Sequence, residues 1–322
     1  MRAAGRSLAD LREGGKPALA RALARVETHA DAPETAALLD AAWAEAGGQA
    51  IGLTGPPGVG KSTLIDALIR ALRARGRTVA VLAVDPSSRR TRGALLGDRT
   101  RLSVDPEDQG VFVRSMAARD RLGGVATLTW PALVLTRALF DMVLVETVGV
   151  GQSETEIADI ADTVLFCAQP GAGDSLQFMK AGVMEIPDIA LVTKADMGAA
   201  ADQALADLRG ALSLAAAGDE PPPALACSAT TGAGIDALLA ALDDRITRLA
   251  EGGGLAARRR EQALGWARRA VAESLGREGL ARADSLIAAA AEGESLFVSA
   301  VKLKMLLTQA LDVGLGQRPT TL

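Results

Sequence analysis

Gly55-Pro56-Pro57-Gly58-Val59-Gly60-Lys61-Ser62 is the segment from which the fold class of this chain is predicted. It matches the phosphate-loop pattern G-x-x-x-x-G-K-[ST], after an apolar run at 50–54 and before a helical pattern at 61–75. Backbone N–H groups of such a loop and the following helix N-terminus bind phosphate oxygens. Lys61 is predicted to reach the β- and γ-phosphates of a nucleotide, and Ser62 to bind Mg²⁺. The predicted nucleotide-binding residues of this loop are Gly55, Pro56, Pro57, Gly58, Val59, Gly60, Lys61, Ser62 and Thr63.

Outward from this loop, short apolar runs alternate with helical stretches. The apolar runs lie at 50–54, 79–84, 111–113, 142–145, 164–167, 189–192 and 225–227. The helical stretches include 61–75, 124–139, 176–185 and 235–249. This alternation predicts an α/β fold with a mostly parallel sheet, and the near-continuous apolar runs suit strands that are covered on both faces.

Both ends of the chain have a helical pattern instead. The predicted organisation is an N-terminal helical segment at 1–48, a phosphate-loop domain at 49–250 and a C-terminal helical extension at 255–322. Gly252, Gly253 and Gly254 mark the joint before the extension. Its leucines and valines, such as Leu264 and Val271, suit either a dimer seam or packing on the sheet, because periodicity alone does not distinguish the two.

The composition excludes several classes of function. The 322 residues include 35 Lys+Arg and 39 Asp+Glu, a net charge of −4, which argues against a general nucleic-acid binder. Aromatic residues make up only 2%, too few for a base-stacking platform. We expect no membrane span, since no stretch free of charged residues exceeds fifteen residues. We expect a cytoplasmic location, since the start of the chain has no apolar signal core. Cys167 and Cys227 are the only thiols and His29 is the only imidazole, so a transition-metal site within one subunit is not expected.

A second motif indicates which base the nucleotide carries. Thr193-Lys194-Ala195-Asp196 follows the run at 189–192 and resembles the guanine-selecting pattern N-K-x-D. A carboxylate at Asp196 can accept hydrogen bonds from the ring N–H and the exocyclic amine of guanine, a donor pair that adenine lacks. Ser228-Ala229, after the next strand, resembles the loop that completes such a base pocket. Thr193 departs from the usual asparagine, although threonine can still make a local hydrogen bond.

Acidic residues and glycines follow several of the predicted strands. Asp85 and Glu146 come at or after strand ends, and Asp98 lies between them in sequence. Such oxygen ligands at the carboxyl edge of a sheet suit Mg²⁺, although each acid has the alternative role of a helix cap or a turn residue. Gly149 is predicted to flank the γ-phosphate with its N–H, and Gln152 is a weaker candidate for orienting water.

Taken together, these segments resemble the methylmalonyl-CoA mutase-associated GTPases of the MeaB/ArgK family. Four strings carry the resemblance, and E-T-V-G-V-G-Q-S-E at 146–154 is far more specific than the phosphate loop. They are V-D-P-S-S at 84–88, L-G-D at 96–98, V-E-T-V-G-V-G-Q-S-E at 145–154 and P-G-A-G-D at 170–174, followed by Gln177 and Lys180. The resemblance covers about 50–198 strongly, and it is weaker in the flanking helices.

The resemblance implies a homodimeric GTPase that binds GTP and GDP with Mg²⁺, dimerises partly through its C-terminal helices and docks on an adenosylcobalamin-dependent acyl-CoA mutase. It further implies that GTP gates cofactor loading and that the chaperone protects or restores the mutase. The implied Mg²⁺ set is Ser62, Asp85, Asp98 and Glu146. The implied catalytic set is Lys61, Glu146, Gln177 and Lys180, the last two completing the site when the partner docks.

The sequence leaves open which protein is the partner of this chain. The cobalamin adenosyltransferase is a second candidate partner, and cobalamin is assigned to the partner because this chain has no D-x-H-x-x-G string. Residues 114–124 are poorer in Ser and Pro than in relatives, which leaves open the acyl-CoA on which the mutase acts. The main alternative is a metallochaperone-type GTPase for another metalloenzyme or cobalamin enzyme. A transport-protein kinase and a non-catalytic scaffold fit less well, since no kinase motif is present and the phosphate loop is complete.

Overall fold

A computed structural model describes residues 7–86, 105–118, 126–147, 156–171, 187–216, 220–292, 295–302 and 304–305. The strands are β1 (Gln49–Thr54), β2 (Val79–Pro86), β3 (Val111–Ala118), β4 (Met142–Glu146), β5 (Thr163–Ala168), β6 (Ile189–Val192) and β7 (Ala224–Ala226). The helices are α1 (Leu8–Thr28), α2 (Pro33–Glu45), α3 (Lys61–Ala74), α4 (Ala126–Arg137), α5 (Ala199–Ala215), α6 (Ile235–Glu251) and α7 (Gly254–Glu292). Single 3₁₀ turns lie at Ile157–Asp159 and Ala195–Met197.

The described strands form one sheet with the order β3-β2-β4-β1-β5-β6-β7, and every pair in it is parallel. β1 lies between β4 and β5, so the chain leaves it toward one side of the sheet and later returns to the other. Ligands of open α/β sheets bind at the carboxyl edge beside such a reversal. The phosphate-loop sequence follows β1 directly and therefore lies at that edge.

Alternate side chains of each strand enter opposite layers, because successive residues of a strand point to opposite faces. In β2, Val79 and Val81 pack with α3 and α6, whereas Ala80 and Leu82 pack with α1, α2 and α4. Both layers are apolar, which explains why the strands are continuous hydrophobic runs rather than alternating ones.

An aromatic cluster joins the helical ends of the chain to the central layer. Trp130 of α4 is fully buried and stacks on Trp266 of α7, with ring centroids 5.2 Å apart, and on Phe297 at 5.4 Å. Trp43 of α2 completes the cluster at 5.5 Å from Trp130. The chain contains three tryptophans, and all three lie in this cluster. Tryptophan fluorescence therefore reports on the packing of these helices against one another.

A buried ion network ties α7 to the amino edge of the sheet. Asp162, just before β5, pairs with Arg137 at 3.3 Å and with Arg259 at 2.7 Å. Arg259 also donates to the carbonyl oxygens of Ala46 at 2.8 Å and Gly48 at 2.7 Å. The pairing is needed because Arg137 and Asp162 are both almost completely buried, and an unpaired buried charge is strongly destabilising.

The predicted α/β class with a parallel sheet and helical extensions is confirmed, and each predicted apolar run lies in or overlaps a strand. Helix α5 was not among the predicted helical stretches, and the one at 176–185 lies outside the described residues. Val271 of α7 is buried within its own chain, in the cluster that contains Trp130. The domain division at 48 and 254 stays a prediction. None of the described helices is long and apolar enough to cross a membrane.

Candidate nucleotide site

The phosphate-loop residues 55–60 connect β1 to α3 in a conformation that requires glycine. Gly55 has φ 136°, and a Cβ atom there would lie 2.2 Å from the carbonyl oxygen of Cys167 in β5. Gly60 has φ 100° and precedes the first residue of α3, Lys61. Lys61 folds back over the loop, and its Nζ donates to the carbonyl oxygens of Gly55 at 2.6 Å and Pro56 at 3.1 Å. The loop therefore carries a nearly buried ammonium beside its own backbone, suited to negatively charged ligands.

Ser62 and Glu146 bring two side-chain oxygen atoms together next to the phosphate loop. The Ser62 hydroxyl donates to Glu146 Oε1 at 2.8 Å. Glu146 ends β4 and pairs in register with Leu53 of β1, which brings it to the phosphate-loop side of the sheet. Asp85 lies in β2, two residues beyond Ala83, which pairs with Glu146. A hydroxyl and a carboxylate at the carboxyl edge are oxygen ligands of the kind that Mg²⁺ prefers, so these residues fit the ion.

Thr147 secures the backbone next to Glu146. Its N–H donates to the Leu53 carbonyl oxygen at 3.2 Å, and its hydroxyl lies 3.4 Å from both that oxygen and the Thr54 hydroxyl. The end of β4 is thus held against β1, and the Glu146 carboxylate is presented from a rigid strand rather than from a loop.

Thr193 connects the base-reading motif to the phosphate loop. Its buried hydroxyl lies 2.6 Å from the carbonyl oxygen of Val59 and 3.0 Å from that of Ala168, and its N–H donates to the Ala168 oxygen at 2.8 Å. The residue that departs from the usual asparagine therefore still makes a hydrogen bond to the phosphate loop.

Lys194 has an unusual backbone conformation. Among the described residues, it is the one non-glycine with positive φ, at 55°. The left-handed region costs a non-glycine residue about 1–2 kcal/mol, so the surrounding contacts must hold it there. Its Nζ donates to the Gly58 carbonyl oxygen at 3.2 Å and to Gln169 Oε1 at 2.6 Å. Sequence reasoning did not single out Gln169, whose one signal is its position just after β5, at the carboxyl edge.

Asp196 and Ser228 meet where the loops after β6 and β7 come together. A hydrogen bond with the Ser228 side chain, and one with its own backbone N–H, lower the pKa of Asp196. Ser228 is buried, and its Oγ accepts from the N–H of Thr231 at 3.2 Å. The N–H of Ala195 donates to the Cys227 carbonyl oxygen at 3.0 Å, which ties the two loops together. An exposed, ionised carboxylate beside Ser228 is thus available to accept hydrogen bonds from a base.

Cys167 lies beneath the phosphate loop, but its thiol is unreactive. Burial raises the pKa of its thiol to about 12, although the positive charge of Lys61 acts in the opposite direction. The thiol is therefore neutral at physiological pH and unsuited to act as a nucleophile.

The remaining predicted site residues are not placed. Asp98, Gly149, Gln152, Gln177 and Lys180 lie outside the described residues. The structure therefore brings together the phosphate loop, Ser62, Glu146 and the base loops.

Comparison with known proteins identifies the family of this chain. The family model described as "Methylmalonyl Co-A mutase-associated GTPase MeaB" matches residues 19–284. A putative GTPase of Caulobacter vibrioides is 42% identical over 260 residues, 79% of this chain and 80% of that protein. The mouse protein "Methylmalonic aciduria type A homolog, mitochondrial" is 38% identical over 221 residues, 67% of this chain and 53% of that one. The crystal structure of a "LAO/AO transport system kinase" covers 97% of this chain and 99% of its own, with TM-score 0.66 and 27% identity.

Proposed function

This chain belongs to the MeaB family of methylmalonyl-CoA mutase-associated GTPases, and we propose that it is a GTP-hydrolysing chaperone of an adenosylcobalamin-dependent acyl-CoA mutase. In this proposal GTP gates the loading of adenosylcobalamin onto the mutase, and the chaperone protects or reactivates that enzyme. Methylmalonyl-CoA mutase is the first client to test, since the family is described by its association with it.

The observation that carries the nucleotide chemistry is the contact between Ser62 and Glu146 beside the phosphate loop. Phosphoryl transfer depends mainly on positioning and on stabilising negative charge. Lys61 would supply positive charge at the β- and γ-phosphates, and Ser62 and Glu146, with Asp85 and Asp98, would hold the metal. Bound Mg²⁺ would neutralise part of the charge that develops on the phosphate oxygens.

The base loops supply selectivity for guanine. The Asp196 carboxylate accepts from the ring N–H and the exocyclic amine, and the loop of Ser228 and Ala229 closes the other side of the pocket. Thr193 and Lys194 hold this region against the phosphate loop through Val59 and Gly58. Nucleotide binding therefore engages both loops at once.

Turnover by the chain alone is proposed to be slow, and docking of the mutase is proposed to accelerate it. In that state Gln177 and Lys180 complete the site, with Lys180 adding charge to the transition state as an arginine finger does. Gly149 is proposed to sense the γ-phosphate through its N–H. We further propose a cytoplasmic homodimer joined through the C-terminal extension, with the cobalamin adenosyltransferase as a second partner.

The deciding experiment compares GTP turnover by the purified chain with and without an adenosylcobalamin-dependent acyl-CoA mutase from the same source. We expect a clear rise with the mutase, no turnover by Lys61→Ala and loss of the stimulation in Lys180→Ala. Arg21→Ala is the control, because Arg21 is an exposed basic residue of α1 outside both the nucleotide site and the C-terminal extension. If the mutase does not change the rate of GTP turnover, the proposal that it is the client is wrong. A metalloenzyme or another cobalamin enzyme would then be tested next.

A further inference from the structure

Three loops meet at the carboxyl edge of the sheet, and one side chain connects them. The loops are the phosphate loop at 55–60, the end of β5 at Ala168-Gln169 and the base motif at Thr193–Asp196. The Nζ atom of Lys194 lies between the Gly58 carbonyl oxygen, at 3.2 Å, and Gln169 Oε1, at 2.6 Å. Lys194 therefore makes a hydrogen bond to each of the other two loops.

Gln169 is itself held firmly in place. Ala168, the residue before it, pairs with Val192 in the register of β5 and β6, and its carbonyl oxygen accepts from the N–H of Thr193 at 2.8 Å. The half-buried Gln169 side chain presents a neutral acceptor from this fixed point. Lys194 cannot adjust freely, because its backbone is in the left-handed region between buried Thr193 and the 3₁₀ turn of Asp196.

We propose that Gln169 is a positioning residue for guanine-nucleotide binding. By accepting a hydrogen bond from Lys194, it holds the lysine against the Gly58 carbonyl oxygen and so maintains the spacing between the phosphate loop and the base motif. A nucleotide occupies both loops together, so loss of this spacing speeds its release. The inference rests on the proposed nucleotide site, but not on the mutase or on stimulated turnover.

The substitutions that test this differ in whether the side chain keeps an oxygen acceptor. Gln169→Met keeps a similar side-chain length but has no strong acceptor, whereas Gln169→Glu keeps the acceptor. We expect Gln169→Met to release a fluorescent GDP analogue about tenfold faster than the wild type, since hydrogen bonds to charged groups are stronger than neutral ones. Gln169→Glu should release it no faster than the wild type. The kcat for GTP at saturation should stay within about twofold in both variants, because no reacting atom is touched.

A double-mutant cycle shows whether Gln169 acts through Lys194. In a Lys194→Met background, Gln169→Met should cause no further increase in the release rate. The proposal is overturned if Gln169→Met releases GDP at the wild-type rate, if Gln169→Glu is as fast as Gln169→Met, or if the effect is the same in both backgrounds.

Folding is checked by thermal unfolding with tryptophan fluorescence. If Gln169→Met does not fold, Gln169→Asn provides the same test, because its acceptor is one methylene too short to reach Lys194. Failure of the mutase to stimulate turnover would refute the proposed client but would leave these release rates, and hence this inference, unaffected. Absence of GDP binding in the wild type would refute the nucleotide site and this inference together.

Discussion

Ser62 and Glu146 are 84 residues apart in the chain, and their side-chain oxygens lie 2.8 Å apart beside the phosphate loop. Ser62 is the second residue of α3 and Glu146 ends β4, and the parallel pairing of β1 with β4 brings them together. The contact links a phosphate-binding helix to an acidic strand end, which is the arrangement that a magnesium-nucleotide site requires.

Glu146→Gln should lower the rate of Mg²⁺-dependent GTP turnover by about a hundredfold, because it removes a negative charge from the metal-binding pair. GDP binding measured without Mg²⁺ should change little. Glu45→Gln is the matched control, since Glu45 ends α2 on the surface. Wild-type turnover by Glu146→Gln would show that this carboxylate does not serve the metal.

Asp196→Asn should weaken GTP binding at least about a hundredfold and favour xanthosine triphosphate, because an amide donor then faces the base where an acceptor was. Competition binding with the two nucleotides measures the change. Asp202→Asn, an exposed acid in the first turn of α5, is the control. Unchanged preference for guanine would mean that the base is bound elsewhere.

The same carboxylate sets the pH range of guanine binding. The bond with Ser228 lowers the pKa of Asp196 below its ordinary value, so the acceptor form persists as the pH falls. Guanine affinity attributable to Asp196 should therefore be constant from about pH 8 to about pH 5 and be lost only below the ordinary aspartate pKa of about 3.9. A loss centred near pH 6 would contradict this assignment.

Thr193→Val should destabilise the fold by about 1–3 kcal/mol, because a buried carbonyl oxygen of the phosphate loop loses its hydroxyl donor while the side-chain volume stays similar. Urea unfolding gives the free-energy difference. Thr230→Val makes the same change on the surface and should cost less than about 0.5 kcal/mol. If both substitutions lower the free energy of unfolding by the same amount, the Thr193 hydroxyl has no special structural role.

Asp162→Asn should destabilise the fold by about 3–5 kcal/mol, because it leaves Arg137 buried beside an uncharged partner. Tryptophan fluorescence is a suitable probe, since the tryptophans lie in the cluster that this network helps to hold. Asp159→Asn, whose carboxylate is 46% exposed in its pair with Arg269, is the control and should cost less than about 1 kcal/mol.

Acid unfolding gives an independent test of Asp162. Burial alone would raise the pKa of this carboxyl, but the hydrogen bond from Arg259 and the charge of Arg137 outweigh it, and the pKa is lowered. A carboxylate with a lowered native pKa contributes stability above its unfolded pKa of about 3.9, and this is lost as the pH falls through the native value. Wild-type stability should thus fall more steeply than that of Asp162→Asn below about pH 4; parallel curves would contradict the shift.

Neither thiol should react with a disulfide reagent at pH 8 while the chain is folded. Burial raises the pKa of Cys167 to about 12 and that of Cys227 to about 11, so the reactive thiolate is scarce. Both should titrate in urea, as the chain has two cysteines. Rapid reaction of either thiol in the native protein would show that the sheet edge opens.

The features of this protein that can be predicted from the sequence are those whose residues all lie in one continuous segment of the chain. The phosphate loop from Gly55 to Ser62 contains its own glycines, charge and helix start, and the apolar runs coincide with strands because both faces of the sheet are covered. Helix α5 was missed because alanine dominates it and only four of its seventeen residues, Ala201, Leu208, Ala211 and Leu212, are buried. Asp98, Gly149, Gln177 and Lys180 stay predictions.

The amino-acid sequence alone predicts the α/β class, the phosphate loop and the motif around Asp196, because these depend on local backbone conformation and on the periodicity of buried side chains. The tertiary structure is needed to show that Ser62 meets Glu146, that Gln169 meets Lys194, and that Asp162 pairs with two arginines from different helices. Each of these contacts joins residues far apart in the chain. Strand order and register bring them together, and the apolar runs, similar to one another in composition, specify neither.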